Sequence, residues 1–159
     1  MFVFDDSDKQ RSKSTKRIFN VHKIKDKKTG GYFMGQSILV ILLVTPTITI
    51  PVGFSFYMPD PEVTQWYKND KKLRDKGTPK DKRPAKPSRR SNYPTKQELA
   101  LELLKDFETH FPEIKVQCVL ADALYGSKSF VLKAAKLFKG VQVISQLRTD
   151  QNVITWTII

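Results

Sequence analysis

The order of apolar and polar positions divides the chain into short elements. Phe2-Val3-Phe4 followed by Asp5 and Asp6 predicts a strand whose C-terminal end delivers both acids, with residues 7–17 (SDKQRSKSTKR) a flexible basic loop. From Ile18 to Thr29 apolar residues mix with Lys, and Gly30-Gly31 break the chain before YFMGQSILVILLV. That run lacks alternation, which predicts a central strand covered on both faces. Thr45-Pro46-Thr47 predicts a turn, and ITIPVGFSFY, residues 48–57, a further strand able to pair antiparallel with it. Pro51 pushes that strand toward an edge or a bulge.

Between Met58 and Pro94 the pattern changes. Six prolines (59, 61, 79, 84, 87, 94) and many Lys and Arg leave little apolar periodicity, so residues 59–94 read as a basic Pro-rich insertion or loop unable to order itself by burial. Trp66 and Tyr67, within EVTQWYKNDKKL, either anchor a short helix or stack on a base. Thr95 and Glu98 then form a capping box, and Ala100, Leu103, Leu104, Phe107 and Phe111 recur at helical spacing up to Pro112. KVQCVLA (115–121) predicts a strand leading into Asp122. Next comes a helix from the cap Ser127 to Gly140, and then a strand VQVISQL (141–147). The sum is an α/β fold in one domain: three strands, helix, strand, helix, strand, around a mixed sheet.

Charge sharpens this picture. The chain has 28 Lys plus Arg against 16 Asp plus Glu, a net charge of +12. Residues 1–58 hold 9 basic and 4 acidic side chains, 59–98 hold 12 and 6, and 99–159 hold 7 and 6. Clustering of this kind is the footprint of phosphate neutralisation, so nucleic acid is the expected partner rather than a small acidic ligand. Cys118 is alone, and His22 and His110 supply no zinc cluster, which fits a reducing, cytoplasmic setting. Residues 29–59 carry no charge, yet ILVILLV (38–44) is interrupted on both sides by polar residues and Pro. It falls short of the about 20 apolar residues a membrane helix needs.

Asp6 and Asp122 each close an apolar strand, the edge where open α/β sheets carry their sites. An acid there serves equally as a turn or helix cap. If the strands are neighbours the carboxylates meet, and paired carboxylates beside a basic surface suit Mg²⁺ (or Mn²⁺) and phosphodiester chemistry.

Asp5-Asp6-Ser7, IFNVHKIKDKKTGGYFMGQSIL, IPVGFSFYMP, YPTKQELALELLKDF, VLADALYG and ISQLRTDQNV together resemble DDE transposases of the insertion sequence 4 type. The resemblance spans nearly the whole chain. It implies a ribonuclease H-like catalytic domain that cuts and transfers transposon DNA with Mg²⁺, in which Asp6 (or Asp5) and Asp122 are catalytic metal ligands. Tyr125 of Asp122-Ala-Leu-Tyr125 is, on this resemblance, a group behind the ligands or a DNA contact; its alternative is simple aromatic packing. The family also uses a downstream Glu in a Tyr-Arg-Glu-Lys type of motif, whereas here no Glu follows Glu113 and Asp150 is the sole acid after Asp122. Asp150 is not assigned that role, and Arg148 is a candidate phosphate contact. The chain therefore reads as a domain cut at both ends, incomplete at the C-terminus and inactive alone. Two rival readings remain: a non-catalytic basic nucleic-acid-binding module, and a small membrane protein spanning 35–57.

Overall fold

The computed structural model describes residues 1–12, 14, 17–26 and 28–146. Leu147, Arg148 and Asp150 lie outside the described residues, so the end of the expected last strand and both polar candidates in that segment lie outside them too.

Among the described residues the chain is α/β, with a mixed six-stranded sheet and three α-helices. In chain order these are β1 (Phe2–Gln10), β2 (His22–Lys25), β3 (Tyr32–Val44), β4 (Thr49–Tyr57), α1 (Pro61–Asp75), α2 (Lys96–His110), β5 (Cys118–Ala121), α3 (Lys128–Leu137) and β6 (Gln142–Ser145). The strand order is β2-β3-β1-β5-β6, with β4 also pairing β3. Met1 and Val44 exchange both backbone hydrogen bonds at 2.8 Å, the signature of antiparallel pairing between β1 and β3. β5 runs parallel to both β1 and β6.

Two differences in the strands follow from the tertiary structure. First, β1 does not stop at the acids: it continues through Ser7-Asp8-Lys9 to Gln10. Polar residues stay extended there because the partner strand satisfies them. Ser37 Oγ donates to the Asp8 carboxylate at 2.5 Å, and the Arg11 amide donates to the Met34 carbonyl at 2.7 Å. Second, β2 forms from HKIK, where no strand was expected; its one buried residue is Ile24, too little for a visible period. The sequence expectation for β3 matches its observed bounds, and β4 pairs only with β3, the edge position that Pro51 requires.

The chain divides into two compact units. One comprises Met1–Asp6, Leu39–Ser55 and the described part of Ala100–Ile159; the other comprises Ser7–Ile38 and Phe56–Leu99. The first is built on aromatic rings. Phe2 meets Phe107 edge-on at 4.8 Å between centroids and Phe138 at 5.6 Å, while Phe4 stacks on Tyr125 at 5.6 Å. Phe130 packs on Tyr125 at 5.2 Å, and Leu104, Val119 and Ile41 complete a core without solvent exposure. Gly53 of β4 lets this core close: a Cβ there would meet Ile41 Cγ2 at 3.0 Å and Leu103 Cδ2 at 3.3 Å. Ser127 caps α3 by accepting from the Phe130 amide at 3.3 Å, and Gly140 ends the turn with φ +89, a left-handed value glycine adopts freely.

The second unit is held differently. α1 has no buried residue, yet it is ordered, together with the Pro-rich stretch after it, where composition predicted a loop without order of its own. Asp60 caps α1 by accepting from the Glu62 amide at 2.9 Å, and Pro61 occupies the first turn. The same carboxylate receives the Arg90 amide at 2.9 Å and its guanidinium at 2.7 Å. These bonds to Arg90 hold the buried Asp60 carboxyl well below the usual carboxylate range. Arg83 bridges to Asp70 at 2.7 Å, and Trp66 Nε1 donates to the Pro84 carbonyl at 2.9 Å. Trp66 thus anchors the chain segment that follows its helix. The expected capping box is present: the Thr95 amide donates to Glu98 Oε2 at 2.6 Å and the Glu98 amide to Thr95 Oγ1 at 3.2 Å.

Candidate functional site

Within the first unit, β1 and β5 are hydrogen-bonded neighbours, with Phe2 level with Val119 and Val3 with Leu120. β5 ends at Ala121, so Asp122 leaves the sheet alongside β1 just where Asp5 and Asp6 occur. Asp6 is therefore within a strand rather than at its end; it is Asp122 that follows a strand terminus. The side chains of a strand alternate between faces, so Asp6 shares the face of the buried Phe2 and Phe4, and the exposed Asp5 has the other.

Asp122 also performs the ordinary structural role open to an acid at this position. Its Oδ1 accepts from the Leu124 amide at 2.8 Å and caps the one-turn 3-10 helix Ala123–Tyr125. Its carbonyl accepts from Ser145 Oγ of β6 at 2.6 Å, which ties the turn to the next strand. Gly126 makes the turn tight: a Cβ there would lie 3.0 Å from the Gln146 carbonyl.

Tyr125 links the acids. It is fully buried and packs on Phe4 and Phe130. Its hydroxyl is buried and finds no hydrogen-bond partner among the described residues. Burial, then the negative charges of Asp6, Asp122 and Asp5 in that order, push the phenol pKa well above its usual value. Among the described residues no group of three or more His, Cys, Asp or Glu side chains is placed to hold a metal ion.

No family model and no curated protein matches the chain. Among solved structures it is similar to the Aquifex aeolicus Ppx/GppA phosphatase, in a type II variant crystal, at 13% identity over 69% of this chain, with a TM-score of 0.26. The chain spans 32% of the length of that protein, and at this score the likeness carries no argument.

The sequence reading missed the Asp60–Arg90 pair in the other unit. Asp60-Pro61-Glu62 was a legible helix start. Arg90, thirty positions away, has no local signal.

The uncharged run 35–57 lies almost wholly in β3 and β4, and among the described residues no helix is long and apolar enough to cross a membrane.

Proposed function

We propose that this chain is part of a ribonuclease H-like DDE transposase domain, supplying two acids, Asp6 and Asp122, for metal-dependent phosphoryl transfer on DNA. The observation that carries the reading is the adjacency of parallel β1 and β5, which sets Asp122, just past the end of β5, alongside the segment of β1 that holds Asp5 and Asp6. Setting aside β2 and α1, the succession β1, β3, β4, α2, β5, α3, β6 also supports it, being the three strands, helix, strand, helix and strand of the expected domain.

The donor set is carboxylate oxygen alone, which suits a hard divalent cation in kind and falls short of three ligands in number. Asp6 and Asp122 would hold Mg²⁺, which when bound activates a nucleophilic oxygen and stabilises the leaving one. The chain's own residues position that pair. Phe4 and Phe130 fix Tyr125, and the Leu124 amide orients the Asp122 carboxylate. The basic excess over residues 59–98, twelve Lys and Arg against six acids, would attract a phosphate backbone, although Arg83, Arg89 and Arg90 are already paired with acids.

With two acids, this chain alone is expected to leave supercoiled plasmid intact in Mg²⁺ or Mn²⁺. It should nevertheless bind Mn²⁺, measured by calorimetry, and lose that binding in Asp6→Asn and Asp122→Asn. Equal Mn²⁺ binding by wild type and both variants sinks the catalytic reading; robust nicking abolished in Asp6→Ala sinks the claim that two acids do not suffice. The second reading, a non-catalytic nucleic-acid-binding module, is favoured by the lack of a three-ligand group among the described residues, and it predicts DNA binding without Mn²⁺ binding.

A further inference from the structure

Entirely within the second unit, α1 and the β2–β3 hairpin line a groove of about 560 Å³. Thr64, Tyr67, Lys68 and Lys71 recur at the spacing of one helix face, so a single side of α1 supplies them all. From the hairpin come Lys23 and Tyr32. Lys23 pairs with Met34 in register, which makes Tyr32 its diagonal neighbour on the same face, and Lys23 Nζ sits 4.9 Å from the Tyr32 ring centre.

Both rings are open to solvent, Tyr32 at 60% and Tyr67 at 53% exposure. Tyr67 is braced: Trp66 meets it edge-on at 5.1 Å, Lys86 Nζ lies 4.8 Å from its ring centre, and the same ammonium donates to its hydroxyl at 2.6 Å. The described residues lining the groove include three lysines and no acid.

We propose that this groove binds single-stranded DNA, its bases stacking on Tyr32 and Tyr67 and its phosphates meeting Lys23, Lys68 and Lys71. The proposal rests on the DNA part of the reading above and is independent of the catalytic part. Exposed rings flanked by cations form the stacking platform and electrostatic funnel of sequence-tolerant single-strand binding. A duplex keeps its base faces stacked inside, so it gains from the lysines and nothing from the rings. An acidic peptide is in the same position.

Fluorescence anisotropy of the full chain with fluorescein-labelled dT15 and with a 15-base-pair duplex tests this. The expected result is a preference for dT15. Tyr32→Ala and Tyr67→Ala should each weaken it by about 5- to 100-fold, and Tyr→Phe at either position should retain it. Lys68→Gln and Lys71→Gln should each reduce the slope of log affinity against log salt by about 0.7. Because both tyrosines are exposed, a circular-dichroism melt is expected to be unchanged in the alanine variants, so a binding loss is not unfolding. Alanine variants that bind dT15 like wild type, or duplex bound as tightly as dT15, overturn the proposal. Duplex binding without a dT15 preference breaks this inference alone, whereas absence of both breaks the DNA reading; Mn²⁺ binding reports the catalytic part separately.

Discussion

The two units reach order by opposite means. The unit containing β5, α3 and the start of β1 is assembled around largely buried aromatic rings, whereas α1 in the other unit buries no residue and is held by an N-cap, ion pairs and one indole hydrogen bond. Burial of apolar surface tolerates changes of pH and salt, because it involves no charge. A polar scaffold depends on particular atoms being present and ionised, and its bonds are individually modest once competition with water is counted. The comparison teaches that a low-hydrophobicity segment can be ordered provided distant side chains, here Asp60 and Arg90, find each other.

The largest expected effect breaks the aromatic side. Phe130→Ala removes the ring that packs on both Phe4 and Tyr125, and it should lower unfolding free energy by about 3–5 kcal/mol, measured by urea denaturation. A loss below about 1 kcal/mol would mean the core collapses around the gap and is not the jigsaw described.

A smaller and more local effect is expected on the polar side. The folded Asp60 carboxyl has a depressed pKa, so its contribution is present above the ordinary carboxylate value of about 3.9 and is lost as pH falls from there through the folded value. Protection of the α1 amides, taken relative to their intrinsic exchange rates, should therefore fall below about pH 4, and Asp60→Asn should show that lower protection already at pH 7. Exchange in α3 should be unaffected by the substitution; if α1 and α3 respond together, the contrast between the units is wrong.

The smallest effect tests the hydroxyl beside the acids. Tyr125→Phe keeps the ring and removes a buried, unpartnered polar atom, so stability should stay within about 1 kcal/mol of wild type or rise. Wild type should also lose stability as pH rises above about 10, since its folded phenol holds the proton that the unfolded chain releases, and the phenylalanine variant should lose less. A marked destabilisation at pH 7 would show that the hydroxyl has a bonding role.

Much of the fold was legible because its signals are local. The apolar run of β3, the Thr95–Glu98 capping box, the Ser127 cap and the Gly140 stop depend on residues within a few positions of each other, and each appears where the sequence puts it. The full length of β1 was not legible, because Ser7 to Gln10 are extended by bonds to β3 and have no strand propensity of their own. β2 was obscured for the same reason, whereas for α1 the short helix over EVTQWYKNDKKL was one of the readings the sequence allowed.

Sequence by itself determined which residue types were available: two aspartates near apolar strands, a basic excess concentrated over 59–98, and the tyrosines at 32, 67 and 125. Tertiary structure alone decided their roles. Parallel pairing of β1 and β5 set Asp122 alongside the part of β1 that carries Asp5 and Asp6, and Tyr125 is turned inward, while hairpin register and helix phase put Tyr32 and Tyr67 on a common open groove. The reason is physical: helix caps and apolar runs act over one or two turns of chain, whereas strand adjacency and ion pairing depend on contacts between residues tens of positions apart, which no local pattern records.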